Sequence, residues 1–555
     1  MIEFVYAILV LVLLLSVTLI LIRIFYLIFR PIYNTENVPK SGDIVIIGGG
    51  TSGCVLARRL ADKYPKKSIV LLEQGKDQRN NREIYRSENA LNIAYTPPYS
   101  LVMNSEYPGI VCTMGTMMGG SSSHNYGLVV SGTQKMYENT WLDKLKISLP
   151  ELNKYIEKVY SKIDVTPITP QISVFPKIMP LINLGMQEGP VPIYQAADVY
   201  LNLGPLRADD KLSETLVEAM EVSCLSTLNT KVPIVKNYNS AGCCISETQQ
   251  LYINPITGTR ASANTQYLPD SYRPKNLTIV TSAKVDNISG NTIQLNAPFS
   301  KRKEITAGKI IVSCGGLLSP YLLVKSGIIA NESLKNTLVN HYGTQYIFAI
   351  KGIQDFASGP LAYLPNLNNS EPELQNRELQ NRELQVLTSG STLTNIQLLK
   401  DNDIDLEKYK DYTLITYIIF LMNPRNRGTV QYIPGKDRPE IQLNLYNPVD
   451  MENLVLGSKW IYNCYLNLKE KYDIQAVLPD EETLSSTNRI VVENSIKRGV
   501  ITADHYSCTL NELVDENFRI SESVSVVDNS VLPHITDGNT EFPALLIAEI
   551  AADRI

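Results

Sequence analysis

Three kinds of hydrophobic pattern follow one another along the chain. Phe4 to Ile22, "FVYAILVLVLLLSVTLILI", is an uncharged apolar run, about long enough to cross ~30 Å of hydrocarbon. The next pattern is short and β-branched. "DIVIIGGG" sets Val45, Ile46 and Ile47 together and ends in glycine, as a strand buried in a parallel sheet does. The third has helical spacing. "SGCVLARRLADKYP" places Val55, Leu56, Leu60 and Ala61 along one face and stops at Pro65. "KSIVLLEQG" then predicts a second strand. "KIIVSCGGLLSPYLLVKSGI" repeats the order strand, glycine turn, helix. "WLDKLKISLPELNKYIEKVYSKI" reads as mostly helical, and "NLTIVTSAKVDNISGNTIQL" as hairpin strands turning at Gly290. "NTEFPALLIAEIAADRI" predicts an amphipathic C-terminal helix with Pro543 near its start. Residues 373–385, "ELQNRELQNRELQ", repeat a unit of five that matches neither period and is expected as an insertion on a surface loop.

A length of 555 residues exceeds one ordinary core and implies two domains or one composite. A net charge of −5 and a pI near 5.7 supply no basic field, so no nucleic-acid partner is expected. Cys54, Cys112, Cys224, Cys243, Cys244, Cys314, Cys464 and Cys508 show no C-x-x-C spacing, so no zinc site is expected. They are expected as buried free thiols of a reducing compartment. Glu3 precedes the first apolar run, Arg23 and Arg30 follow it, and no A-x-A cleavage site is present. Residues 1–31 are therefore read as a retained single-pass membrane anchor spanning residues 4–22, with the main domain on the cytosolic side. On that side the N-x-S/T triplets at Asn276, Asn287, Asn331 and Asn368 are chance matches. Residues 32–41 read as a polar linker.

Gly48-x-Gly50-x-x-Gly53 sits between a predicted strand and a predicted helix, with Glu73 ending the next strand. That context points to a dinucleotide. Gly48 permits the tight turn, Gly50 lets the backbone approach a pyrophosphate, and Gly53 allows close packing. The N–H groups near Thr51 and Ser52 face the phosphates, and Glu73 accepts from a ribose. The motif does not distinguish NAD from FAD. The loop "GGSSSHNYG", residues 119–127, is small enough at Gly120 and Ser121 for a planar ligand to come close. His124 within it is either satisfied by the loop backbone or turned toward that ligand. His505 in "ITADHYSCTL" and Asn539 in "ITDGNTEFP" are a histidine and an amide near the C-terminus. Their plain alternatives are a core histidine and a turn residue, with Asn539 or Thr540 capping the last helix.

Together these segments resemble the glucose–methanol–choline (GMC) oxidoreductases, from about Gly42 to Ile555. "DIVIIGGGTSGCVLARRL", "MMGGSSSHNYG", "GTRASANTQYL", "KIIVSCGGLLSPYLLVKSGI" and "VVDNSVLPHITDGNTEFPALLIAEIAADRI" carry the likeness in the family's order. The resemblance implies FAD, with the Val285 backbone at the adenine, Asn125 in the flavin-wrapping loop and Asp528 beside the flavin. His124 falls where choline-oxidase-like members attach the flavin covalently through its 8α-methyl. The implied reaction is oxidation of a small-molecule alcohol by hydride transfer to flavin N5, with His505 as base and Asn539 as its partner. Oxygen or another acceptor then reoxidises the flavin. His341, in "LVNHYG", is expected to be structural, and His534 has no expected role. The family's base segment H-P-x-G-T-C reads His505-Tyr506-Ser507-Cys508-Thr509 here, as if shortened, and its Arg-Gly-Lys is Met114-Gly115-Thr116. These departures keep open a second reading, a flavin-holding structural or assembly protein, virion-associated, with little turnover. The implied fold is α/β. A discontinuous Rossmann-type FAD domain is expected at 42–150, 208–335 and 495–555, and an antiparallel-sheet α+β substrate domain at 151–207 and 336–494.

Overall fold

The computed structural model describes residues 11, 13–21 and 34–555, except 36, 82–83, 85–92, 168–209, 248, 254–258, 273, 354–355, 357, 368–380 and 391–395. The β-branched runs form a mixed sheet. Its parallel part runs in the order Asn34–Thr35, Leu277–Val280, Ile69–Leu72, Ser41–Ile47 and Glu304–Val312. Val524–Val526 lies parallel to the end of the last strand. The hairpin Lys284–Ser289/Thr292–Asn296 lies antiparallel to its beginning and turns at Gly290, where φ is +56°. Ser41–Ile47 is central, which accounts for its continuous apolar run: Val45 and Ile46 are wholly buried.

The helix Thr51–Lys63 ends just before Pro65 and packs on the C-terminal helix Glu541–Arg554. That last helix is not amphipathic, contrary to expectation. Every residue from Glu541 to Ala552 is buried, because Thr51–Lys63 and Leu149–Tyr160 both pack on it. An apolar face all round is the mark of such a helix. Its Glu549 is fully buried and meets Arg59 at 2.7 Å and Lys158 at 3.1 Å.

The second sheet is antiparallel for most of its width, in the order Ile474–Leu478, Tyr342–Lys351, Tyr412–Leu421, Leu384–Ser389, Leu361–Leu364, Cys244–Ser246 and Ile234–Val235. Strand register moves several of the expected boundaries. Ile234–Val235, Cys244–Ser246 and the helix Asp210–Leu228, which packs on Pro448–Lys469, belong with this second sheet and not with the nucleotide domain. Val500–Thr502 also pairs into it. Leu149–Tyr160 lies against the C-terminal helix instead of the substrate domain. Asn34–Thr35, expected in the linker, is an edge strand of the first sheet.

The five-residue repeat is not confined to the surface. Arg382 is buried, and Leu384 and Gln385 open a wholly buried strand end. Residues 373–380 lie outside the described residues. The predicted anchor is also largely outside them. Its residues 13–21 are helical, with exposed leucine and isoleucine side chains. Among the described residues no helix is long and apolar enough to cross a membrane. All eight cysteines are free, and six are buried.

Candidate active site

A cavity of about 540 Å³ lies where the two sheets meet. Every predicted site residue lines it except Gly53. The three motif glycines divide their work by space. Gly48 has φ +99°, and a Cβ there would stand 2.3 Å from the Ser313 carbonyl oxygen. A Cβ on Gly53 would stand 1.9 Å from the Gly48 carbonyl oxygen, so Gly53 packs helix onto turn. A Cβ on Gly50 would meet nothing nearer than 4.0 Å. The helix beginning at Thr51 has no side-chain cap, so its first N–H groups remain available to an anion. Ser52 contributes only its backbone, since its hydroxyl donates to the Ala544 carbonyl at 2.8 Å. Glu73 accepts from the N–H groups of Gly49 and Gly75, both at 2.8 Å. Burial raises its carboxyl to about 7 against the pull of those donors.

The serine loop folds as a 3-10 turn, Gly120–Ser123, and Gly119 donates to the Gly49 carbonyl at 2.7 Å. Gly120 (φ +54°) touches Gly50: a Cβ on it would stand 2.8 Å from the Gly50 Cα. Ser121 accepts from the Gly115 N–H, and Ser122 accepts from the Ala263 N–H. The loop backbone does not satisfy His124. That ring is buried at 4% exposure, lines the cavity, and neither nitrogen has a hydrogen-bond partner. Burial, with Arg260 adding to it, lowers its pKa to about 3. Asn125 accepts from Arg260 at 2.8 Å and from the Gly127 N–H at 3.0 Å, and donates to Glu541.

His505 and Asn539, distant in sequence, meet here. Asn539 Nδ2 stands 3.4 Å from His505 Nε2, and Asn539 Oδ1 accepts from Gln385 at 3.3 Å. His505 Nδ1 lies 2.9 Å from His341 Nδ1, whose Nε2 faces the Met422 carbonyl at 3.2 Å. Burial lowers the His505 pKa to about 3. The glycine position of H-P-x-G-T-C falls on Cys508, which adopts the left-handed φ of +70°.

Asp528 holds elements together. It accepts from the N–H groups of Gly315 and Ser530, both at 2.8 Å, and from the Ser319 hydroxyl at 2.5 Å. Val285 lines the cavity at a bulge in its strand. Thr540 occupies the cap position of the last helix, but its side chain makes no capping bond, so that N-terminus also stays open. Sequence reasoning missed Glu541 and Asn529. Each lines the cavity with a buried oxygen, Oε1 and Oδ1, that has no partner. Burial raises the Glu541 carboxyl to about 8. An acidic residue in the first turn of the last helix was the one sequence signal for it.

The family description "GMC oxidoreductase" matches residues 42–343. The chain belongs to the GMC oxidoreductase family. Full-length relatives of this GMC oxidoreductase include an oxygen-dependent choline dehydrogenase of Staphylococcus xylosus, 25% identical over 93% of this chain and 95% of its own. An ecdysone oxidase of Bombyx mori is 23% identical over 94% and 83%. A sinalpyl alcohol oxidase of Nesocodon mauritianus is 32% identical, but over only 21% of each chain. Among solved structures, pyridoxine 4-oxidase from Mesorbium loti shares the fold with a TM-score of 0.69 at 19% identity, covering 92% of this chain and 99% of that one. GMC oxidoreductases are FAD-dependent enzymes acting on alcohols, and this chain is one of them. Its residues fit that cofactor: two uncapped helix N-termini, a glycine cradle, and His124, Asn529 and Glu541, each with a buried polar atom that has no partner, all lie in the wall of one cavity.

Proposed function

We propose that this protein oxidises the CH–OH group of an alcohol with His505 as the base. The observation that carries the reading is the His505–Asn539 pair, whose polar atoms lie 3.4 Å apart in the cavity wall. Bound FAD supplies the hydride acceptor. His505 Nε2 takes the hydroxyl proton, and the Asn539 amide donates to the same oxygen and holds it in place. The turn at Gly48–Gly50 and the helix from Thr51 hold the diphosphate, Glu73 the ribose, and the Val285 backbone the adenine. The second sheet gives the cavity Leu387, Ile418, Phe420 and Ile501, which suits an alcohol carried on an apolar body.

In this reading His124 would hold the flavin covalently, a ring nitrogen replacing one hydrogen of the 8α-methyl carbon; that C–H bond would break with loss of a proton, and the flavin itself would take the two electrons and pass them to the enzyme's electron acceptor. A buried, neutral imidazole with both nitrogens unclaimed supports it. The apolar helix at residues 13–21, exposed along its length, supports the reading that residues 4–22 anchor the enzyme in a membrane, and Arg23 and Arg30 after the apolar run favour the cytosolic side for its domains.

Anaerobic mixing with a panel of primary and secondary alcohols tests the activity. The flavin absorbance near 450 nm should bleach with at least one of them, and a flavin that stays oxidised with all of them defeats the reading. Acid precipitation tests the link. Yellow colour should stay with the pellet in the native protein and pass to the supernatant in His124→Ala.

A further inference from the structure

We propose that His341 is a positioning residue that sets the tautomer of His505 and so aims the basic nitrogen of that ring into the cavity. The inference rests on the reading of His505 as the base. The two rings stand edge to face, with centroids 5.1 Å apart and planes at 82°, and their Nδ1 atoms are 2.9 Å apart. One of those nitrogens must donate and the other accept. His341 Nε2 faces the Met422 carbonyl oxygen at 3.2 Å, and a carbonyl oxygen only accepts. The proton of His341 is therefore on Nε2. A neutral imidazole has one N–H, so His341 Nδ1 is the acceptor and His505 Nδ1 the donor.

His505 is then left with a bare lone pair on Nε2, the nitrogen beside Asn539. The placement of the amide agrees with that state. Asn539 Oδ1 is taken by Gln385, so Nδ2 is the end that meets His505 and needs an acceptor there. Both rings are neutral, because burial lowers the pKa of His505 to about 3 and that of His341 well below the usual range.

The main chain around His341 orients the base as well. Asn340 Oδ1 accepts from the His505 N–H at 2.7 Å, Val339 and Ser507 exchange N–H···O bonds of 3.1 and 2.9 Å, and Ala503 donates to the His341 carbonyl at 3.0 Å. One short segment thus clamps the residues on both sides of His505 and fixes its proton.

The full-length, flavin-containing protein with [15N]histidine tests the proposal. The chain has only four histidines, so single substitutions assign each ring. His505 should show the Nδ1–H tautomer. In His341→Leu the tautomer should shift toward Nε2–H. Flavin reduction by alcohol should then fall about 10²- to 10⁴-fold, as when a base loses the partner that orients it, with alcohol binding within about threefold. His341→Asn places an amide oxygen near the Nδ1 position and should restore both the tautomer and most of the rate. Three results overturn the proposal: Nε2–H on His505 in the native protein, an unchanged tautomer in His341→Leu, or equal loss of rate in the Leu and Asn variants. If no alcohol reduces the native flavin, the activity reading fails, and the tautomer spectra still decide this one.

Discussion

His124 and His505 are both desolvated, and burial leads the causes that bring each pKa to about 3, so both rings stay neutral across the physiological range. For His505 the sign is simple: the base is competent above its lowered pKa and is lost only as pH falls through it. Alcohol-driven flavin reduction should therefore stay level from pH 8 down to about 5, and its acid limb should lie below the ordinary histidine range of ~6.5. His505→Ala should cost about 10²- to 10⁴-fold in that rate, the usual worth of a general base, read by stopped flow with the flavin spectrum unchanged. Glu541 titrates in the opposite sense. Its raised pKa, about 8, means that its share of stability is complete below the ordinary carboxyl range and is lost as pH climbs toward 8. The buried histidines keep theirs above ~6.5 and lose it as pH falls toward their lowered values. Melting temperature should peak between these windows, roughly at pH 4.5 to 6.5. Glu541→Gln should flatten the alkaline side of that peak, and an unaltered profile would show that the carboxyl ionises without cost.

Among the elements, the glycine turn separates folding from binding. Gly53→Ala drives a methyl into the Gly48 carbonyl and Gly48→Ala adds strain at φ +99°, so both should yield insoluble or flavin-free protein. Gly50→Ala has room among protein atoms. It should fold with a near-normal melting temperature and lose FAD affinity, because only Gly50 serves the backbone's approach to the diphosphate. Titration of flavin-depleted protein with FAD separates the two classes. The C-terminal helix makes a second test. Arg59→Ala leaves the fully buried Glu549 with Lys158 alone and should cost about 3 kcal/mol in urea unfolding. Strands and helices were legible because apolar spacing records the period of the backbone. Glu541–Arg554 was misread as amphipathic because its pattern shows what is apolar, while the number of neighbours that surround it is set by packing.

At the scale of the molecule, the cavity exists only because a parallel nucleotide sheet and an antiparallel sheet close on each other. If residues 4–22 anchor the chain as proposed, removal of residues 1–31 should release the protein from the membrane fraction and leave flavin content and alcohol oxidation unchanged, as fractionation and absorbance would show. Local order in the sequence determined a good deal: the strand–turn–helix of the FAD cradle, the roles of its glycines, the family, and the candidates His124, His505 and Asn539. These are legible because each depends on residues within a few positions of one another or on a motif in fixed order. Tertiary structure alone decided the rest. It assigned Ile234–Val235, Cys244–Ser246 and Val500–Thr502 to the second sheet and buried the end of the five-residue repeat. It also set Glu541 and Asn529 at the cavity and put His341 against His505. Strand register, desolvation and the choice of a proton's partner arise between segments that local spacing does not connect, and no local pattern encodes them.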